Sequence, residues 1–392
     1  MRKDWEVKKL GEICLSIKDG SHNPPKGIES GSYLMLSSQN IQDGYIDFKN
    51  SRFISEDDFR KEQKRVKVKK GDLLLTIVGT IGRSCVFDGS IDNIVFQRSV
   101  AVLTPKVDIV PFFLRYFIKS KKTLLENEAK GVAQKGIYLK QLSDFKISVP
   151  PLQIQQQIVE ELDCLTSIIE KQKKQLEELD NLAQSIFYDM FGDPITNPKG
   201  MKMNKVSDLT VKMLTGPFGS MLHKSDYTAD GIPSINPQNI NKRKIITKDI
   251  ARVSYQKAEE LSKYIVRSNN IIVARRGDLK KCAIVTDKED GWLCGTGSFM
   301  LELNKDIFPI LFYYQYTSQS IQKYLNDKCI GATLPNLNQK ILGDLKIIVP
   351  PFELQQQFAA KIEAIEKQKE LIKKSIKETE YLFNSRMDYY FN

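Results

Sequence analysis

Apolar residues recur at alternating steps of four and three along two long stretches, one mid-chain and one at the end. The first passes through Ile158, Leu162, Leu165, Ile169, Gln172, Leu176, Leu179, Ala183, Ile186 and Met190; the second through Phe358, Ile362, Ile365, Lys369, Ile372, Ile376, Thr379, Phe383, Arg386 and Tyr390. A 3.5-residue period held over about five heptads predicts a long coiled-coil helix rather than a globular surface helix. At about 1.5 Å per residue, roughly 38 residues span about 57 Å. Gln172, Lys369 and Arg386 interrupt the stripe, which weakens a seam but can fix its register. Each helix needs an apolar partner, and the other supplies it.

Both stretches are preceded by the same block. Residues 142–157, with Asp144-Phe145-Lys146-Ile147-Ser148-Val149-Pro150-Pro151-Leu152 at their centre, return without a gap as residues 342–357, with Asp344-Leu345-Lys346-Ile347-Ile348-Val349-Pro350-Pro351-Phe352. Residues 147–149 and 347–349 read as short strands stopped by the paired prolines, and Pro151 and Pro351 suit a helix start. Upstream the pattern shortens to the period and length of strands. Residues 33–36, 73–78, 85–87 and 100–103 are apolar runs between Gly-, Asn- and Ser-rich turns, and residues 111–120 read as a short helix opening on Pro111. The second half repeats this order. Val206-Ser207-Asp208-Leu209 answers Leu10-Gly11-Glu12-Ile13, Gln238-Asn239-Ile240 answers Gln39-Asn40-Ile41, residues 271–278 answer 73–80, and Pro309 answers Pro111. Gly331-Ala332-Thr333 stands opposite Gly131-Val132-Ala133, and the polar Gly/Pro stretch 191–200 ends the first long helix.

The division is therefore a first α+β domain over 1–150, a helix over 151–191, a linker and second domain over 192–350, and a helix over 351–392. Its framework repeats while its loops diverge, as in one scaffold that reads two different targets.

Composition narrows the partner. The chain has 392 residues, 41% hydrophobic and 27% charged, with a formal net charge of +11. An excess of base favours an anionic partner, nucleic acid first. No signal core follows Met1 and no apolar run approaches a membrane span. The six cysteines, Cys14, Cys85, Cys164, Cys282, Cys294 and Cys329, form no C-x-x-C pair, and there are two histidines. That usage fits reduced thiols in the cytoplasm and leaves little material for structural zinc.

The Asp-x-Lys-Ile-x-Val-Pro-Pro block followed by a long helix resembles the conserved regions of type I restriction–modification DNA specificity subunits. The connector from Phe187 to Gly200, the opening Trp5…Leu10-Gly11-Glu12-Ile13 and the turn Gly79-Thr80-Ile81-Gly82 fit the same family, and together they cover the chain. Met201 replaces the tryptophan that usually opens the second domain, with only altered packing expected; Gln156 and Gln356 stand where many members carry glutamate. The resemblance implies an α+β fold of two tandem target-recognition domains, separated by two long helices packed as an antiparallel coiled coil. It implies a chain that is not an enzyme by itself, binds a bipartite, asymmetric site in double-stranded DNA, and docks two modification (methyltransferase) subunits and restriction subunits. S-adenosylmethionine, ATP and Mg belong to those partners, and none to this chain. A specificity subunit of a related methyltransferase/nuclease system of another restriction class is the alternative within that resemblance.

Two rivals come from other classes. Asn23-Pro24-Pro25 matches the start of the Asn-Pro-Pro-aromatic motif of adenine methyltransferases, but Lys26 replaces the aromatic that stacks on a flipped base. Neither Gly79-Thr80-Ile81-Gly82 nor Gly216-Pro217-Phe218-Gly219 has the acidic follow-up of a cofactor loop, and no G-x-x-x-x-G-K-[ST] occurs. A turn explains Asn-Pro-Pro. A purely structural coiled-coil adaptor explains the helices and leaves two basic, loop-bearing domains without a task.

Arginine reads guanine and Asn or Gln reads adenine through paired bonds, whereas lysine mostly holds phosphate. On type and place, Gln39, Asn40, Arg83, Gln97 and Arg98 are the base-reading candidates of the first domain, with Lys64, Arg65, Lys67, Lys69 and Lys135 on phosphate. In the second they are Ser220, His223, Lys224, Gln238, Asn239, Arg275 and Arg276, with Lys242, Arg243 and Lys244 on phosphate. His22 and His223 read as ordinary loop residues rather than ligands or bases. A lysine run is more often a solvated face than a binding site.

Overall fold

The computed structural model describes residues 5–129, 135–329 and 336–392; the first four residues and the paired Gly131-Val132-Ala133 and Gly331-Ala332-Thr333 stretches lie outside them. Two compact units divide the chain, Met1–Lys173 with Lys374–Asn392, and Lys174–Lys373. Each contains one domain and one part of each long helix, Leu152–Phe191 and Phe352–Phe391. The units therefore cut across the four-segment division read from the sequence.

In the first unit a four-stranded antiparallel sheet has the order Cys14–Asp19, Val100–Pro105, Leu73–Thr76, Ser84–Val86. A three-stranded sheet places Tyr33–Leu36 between Arg52–Ile54 and Ile94–Phe96, the latter pair parallel. Glu6–Lys9 pairs antiparallel with Lys146–Val149, so the start and end of the domain close on each other. The second unit repeats this plan with Thr210–Thr215, Ser298–Leu303, Ile271–Ala274 and Cys282–Ile284, and closes through Met203–Lys205 against Lys346–Ile348. Trp5 and Met201 both pack half-buried on the core of their own unit, so the replacement is accommodated as a change of packing. The helix Glu56–Gln63 is absent from the sequence expectation, which names only Lys64, Arg65, Lys67 and Lys69 beyond it as phosphate contacts. Ser55 caps it by accepting from Asp58 N at 3.2 Å, and only Phe59 among its residues is buried, so its apolar signal is faint.

The repeated block joins each domain to its helix through a buried glutamine. Gln155 Nε2 donates to Asp108 O and Pro150 O at 3.0 and 2.9 Å, while its Oε1 accepts from Val110 N at 2.9 Å. Gln355 does the same with Asp306 O, Pro350 O and Phe308 N at 2.8, 3.0 and 2.9 Å. Gln156 and Gln356 point to solvent. Replacing Gln355 by leucine strands a buried N–H and two carbonyls, and is expected to cost on the order of 3 kcal/mol in chemical unfolding. Gln356→Leu, one residue along on the exposed face, should unfold like the wild type; equal losses would show that helix propensity and not the amide matters.

The two helices run antiparallel within each unit. In the first, Ile158, Leu162 and Leu165 share a core with Phe383, Met387 and Phe391; in the second, Ala183, Phe187 and Phe191 share one with Phe358, Ile362 and Ile365. Ile376 is also buried, whereas Ile169, Leu176, Leu179 and Ile372 are half-buried. Toward the helix ends the expected 3.5 period gives way. Ile186, Met190, Arg386 and Tyr390 are only half-buried, and the buried positions step by four through 183, 187, 191 and 383, 387, 391. The reason is a second partner. Phe391 packs on Phe113 and Phe117 of the helix Pro111–Ser120, with centroids 5.4 and 6.3 Å away, so the apolar stripe must widen to face both helix and domain.

Each polar interruption of the seam meets a partner on the facing helix, although the buried Gln172 Oε1 has none among the described residues. Gln172 Nε2 donates to Ser375 Oγ at 2.7 Å, Arg386 meets Glu161 at 2.7 Å, and Lys369 meets Asp180 and Glu366 at 2.6 and 2.8 Å. Burial alone would raise the Asp180 carboxyl, but the hydrogen bonds from Lys242 and Lys369 outweigh it and hold the group below its ordinary range. Burial likewise opposes the charge on Lys369, and its two acids more than offset it, so its pKa lies above the ordinary value.

Candidate nucleic-acid interface

At one end of each four-stranded sheet, four loops meet around a glycine. Gly20 N donates to Val100 O at 3.2 Å, Ser21 N to Phe96 O at 2.7 Å, and Arg98 N to Ser21 O at 2.9 Å. A Cβ on Gly20 would stand 2.0 Å from Phe96 O, and one on Gly216, which donates to Ser298 O, 2.0 Å from Gly295 O. The strand end thus crosses the neighbouring turn at a separation only glycine permits. Beyond Gly20 lies an open cleft of about 410 Å³ whose walls carry Ser21, His22, Gln39, Val78, Gln97 and Arg98.

Backbone bonds align the corresponding loops of the two units residue by residue. Ile77 N donates to Ser99 O and Ile137 N to Ile77 O; Arg275 N donates to Gly297 O and Leu337 N to Arg275 O, all at 2.9 Å. Val78 bridges Gly136 as Arg276 bridges Asn336. Arg275-Arg276 therefore occupies the place of Ile77-Val78. Thr76 N bonds Arg83 O as Ala274 N bonds Lys281 O, which makes Lys281 the counterpart of Arg83. The backbone at this end is common to both units, and the side chains it presents are not. Burial, with the like charge of Arg276, lowers the Arg275 pKa from its usual value; arginine remains charged there all the same.

Among the candidates named from the sequence, Gln39, Gln97 and Arg98 come together at the first cleft. Arg83 is half-buried, and the exposed Lys135 adjoins the cleft because its carbonyl accepts from Gly79 N at 3.4 Å. Lys64, Arg65, Lys67 and Lys69 are exposed beyond the helix Glu56–Gln63. In the second unit Ser220, His223, Lys224, Gln238 and Arg276 are exposed, and the Gln238 loop is tied to the Arg275 loop, since Lys281 Nζ donates to Pro237 O and Arg275 N to Gly297 O, both at 2.9 Å.

Three expectations need correction. Asn40 and Asn239 are each 2% exposed and their amides are engaged in their own loops. Asn40 Oδ1 accepts from Ser37 N at 2.9 Å while Nδ2 donates to Asp47 O at 2.9 Å; Asn239 Oδ1 accepts from Asn236 N at 3.1 Å while Nδ2 donates to Ile246 O at 3.4 Å. The shared Gln-Asn-Ile is thus a loop-forming motif whose asparagine cannot also read a base, and the exposed Gln39 and Gln238 beside it keep that possibility. Arg243 is the third: it pairs with Glu366 at 3.0 Å with both side chains under 20% exposed, so its charge serves the fold. Its neighbours Lys242 and Lys244, both exposed, meet Asp180 and Glu370, pairs too solvated to hold them firmly. His22, read from the sequence as an ordinary loop residue, lies on the cleft wall; Asp19 and Val78 beside it were not singled out, because nothing local in the sequence shows which loops meet.

Residues 2–181 and 198–381 match the family model described as the type I restriction modification DNA specificity domain. The chain belongs to that family. The MjaVIII specificity subunit of a type I restriction enzyme from Methanocaldococcus jannaschii is 24% identical over 96% of this chain and 91% of its own length. The EcoBI specificity subunit of Escherichia coli is 33% identical over 50% of this chain and 42% of its own length. The solved S subunit of a type I restriction–modification system from M. genitalium has a TM-score of 0.54 at 16% identity, covering 99% of this chain and 96% of that one. A chain from a structural study of assembly and conformational transition in the type I system gives 0.64 at 16% identity, covering 99% and 97%. The fold of type I specificity subunits is thus the fold of this chain, two tandem α+β domains with long helices. Among the described residues no helix is long and apolar enough to cross a membrane, and no group of three or more His, Cys, Asp and Glu is placed to hold a metal ion.

Proposed function

We propose that this chain is the sequence-reading subunit of a type I restriction–modification complex, and that its two domains each read one half of a bipartite, asymmetric site in double-stranded DNA. The observation that carries the reading is the common loop frame at the sheet end with unlike side chains on it: half-buried Val78 in one unit and exposed Arg276 in the other, while Ile77, at the place of the half-buried Arg275, turns into the core. A frame held by backbone bonds tolerates any side chain that does not enter the core, so recognition can change while the fold persists. Gln39 and Gln97 have the paired donor and acceptor that adenine demands, and Arg98, Arg275 and Arg276 the fork that guanine demands. Exposed Lys64, Lys67, Lys69 and Lys135 supply phosphate contacts that fix position without reading sequence.

Chemistry falls to partners in this reading. Two modification subunits dock on the chain, hold S-adenosylmethionine and methylate adenine; restriction subunits bring ATP and Mg. Two measurements test it. The complex of this chain with its modification subunits should methylate adenines within a gapped motif, and its DNA affinity should fall linearly on a logarithmic salt scale with a slope near −0.9 per phosphate contact. The purified chain with S-adenosylmethionine should transfer no methyl group. Methyl transfer by the chain alone, or an affinity indifferent to salt, would remove the reading.

A further inference from the structure

Beside the first cleft a carboxylate stands where DNA-binding surfaces ordinarily avoid one. Asp19 ends the strand Cys14–Asp19 with its side chain only 14% exposed. His22 Nε2 donates to its Oδ2 at 2.7 Å, and Arg65 Nη2 donates to its Oδ1 at 2.9 Å. Arg65 Nε also donates to the Asp19 carbonyl at 3.3 Å. The contact is reinforced from the preceding helix, where Glu62 Oε1 accepts from Ser21 Oγ at 3.0 Å. So the loop that carries Arg65 is tied to the strand end at two points, and the same strand end forms one wall of the cleft.

The donors that Arg65 uses are informative. Nε and Nη2 form one edge of the planar guanidinium, and both face Asp19. The adjacent edge, Nη1 with the second hydrogen of Nη2, keeps two parallel donors, and the side chain is 45% exposed. Two parallel donors match the O6 and N7 acceptors of guanine in the major groove. A phosphate contact requires neither a fixed plane nor a second side chain to hold it, and a lysine serves as well. A base contact gains from both, since an arginine already held in one rotamer loses little freedom on binding. Asp19 also sets the His22 ring against the same wall, so its negative charge is met by two cation-capable groups before DNA arrives.

We propose that Arg65, buttressed by Asp19, reads a guanine in the half-site of the first domain, with Asp19 as its positioning residue. This rests on the functional reading above and reassigns Arg65 from the phosphate role its lysine-rich surroundings suggest. The experiment uses the whole complex of this chain with its modification subunits, and scores methylation of a duplex library in which each base pair of the wild-type motif is varied. Arg65→Lys keeps the charge and removes the fork. It should relax one G·C pair of one half-site by about 5- to 100-fold in discrimination and leave the other half-site unchanged. The salt slope should stay as in the wild type, because no positive charge is lost. Asp19→Asn keeps Arg65 and loosens its support, and should relax the same base pair less strongly.

An even loss of methylation across all sequences in Arg65→Lys, with the motif intact, would make Arg65 a phosphate contact and overturn the proposal. So would relaxation of different positions by the two variants, an effect on both half-sites, or the loss of all methylation in both. A wild-type motif that proved continuous would overturn the two-half reading instead; the proposal would still be decided by whether Arg65→Lys relaxes one G·C pair of that motif.

Discussion

Replacing Phe358 by alanine is expected to destabilise the second unit by about 3–5 kcal/mol, the largest single-residue effect foreseen in this chain. Phe358 is fully buried, and three rings converge on it from two helices: Phe187 and Phe191 of the central helix, at 6.1 and 5.3 Å, and Tyr314 of the helix Pro309–Tyr316, at 5.3 Å. Removing the ring leaves a cavity that rigid helices on two sides cannot close, and forfeits edge-to-face contacts worth about 0.5–1.5 kcal/mol each beyond burial. Unfolding in denaturant, followed by a probe placed in each unit, should show the second unit's transition shifted and the first unit's nearly unmoved, since a chain of two units need not unfold in one step. Leu371→Ala, on the exposed side of the same helix at 69% exposure, is the control and should cost under about 0.5 kcal/mol. A loss below about 1 kcal/mol for Phe358→Ala would mean that the joint between helices and domain is not the anchor its packing indicates.

The second large effect is on the DNA read. Exchanging residues 1–150 for the equivalent domain of another family member should replace one half of the methylated motif and leave the other half as it was. The segment is self-closing, because Glu6–Lys9 and Lys146–Val149 pair with each other inside it. What the graft must satisfy lies outside: Gln155 needs a backbone N–H and carbonyl where Val110 and Asp108 now stand, and Phe383, Met387 and Phe391 need an apolar helix where Phe113, Tyr116 and Phe117 now pack. Given a donor that meets both demands, several mismatched base pairs at about 1–3 kcal/mol each should abolish use of the old half-site by roughly a thousandfold or more. Mapping methylated adenines reads the result directly. A change in both halves of the motif would end the idea that each domain reads by itself.

The sequence by itself determined the repeated architecture. A block that returns 200 positions later, two apolar stripes, and strand-length apolar runs between Gly/Pro turns are local signals, and the elements they predict form where expected, from the helix Pro111–Ser120 to the 40-residue helices Leu152–Phe191 and Phe352–Phe391, although the 3.5 period yields to steps of four toward the ends of the long helices. Periodicity is legible because backbone geometry forces it on any chain that buries one face.

Tertiary structure alone decided which polar residues are free to meet a partner. Asn40 and Arg243 have the chemistry of readers, but one is enclosed by its own loop and the other is held by Glu366 from a helix more than a hundred residues away in sequence. Asp19 and Arg65 are 46 residues apart and become a buttressed pair only when a helix and a strand end meet. The same holds for Phe187, Phe191, Met387 and Phe391, which fall off the seam of an isolated pair of helices and are buried because each helix end faces a domain as well. Residue type states what a side chain can bond; the long-range contacts that occupy or free its atoms are set by packing, which no local pattern encodes.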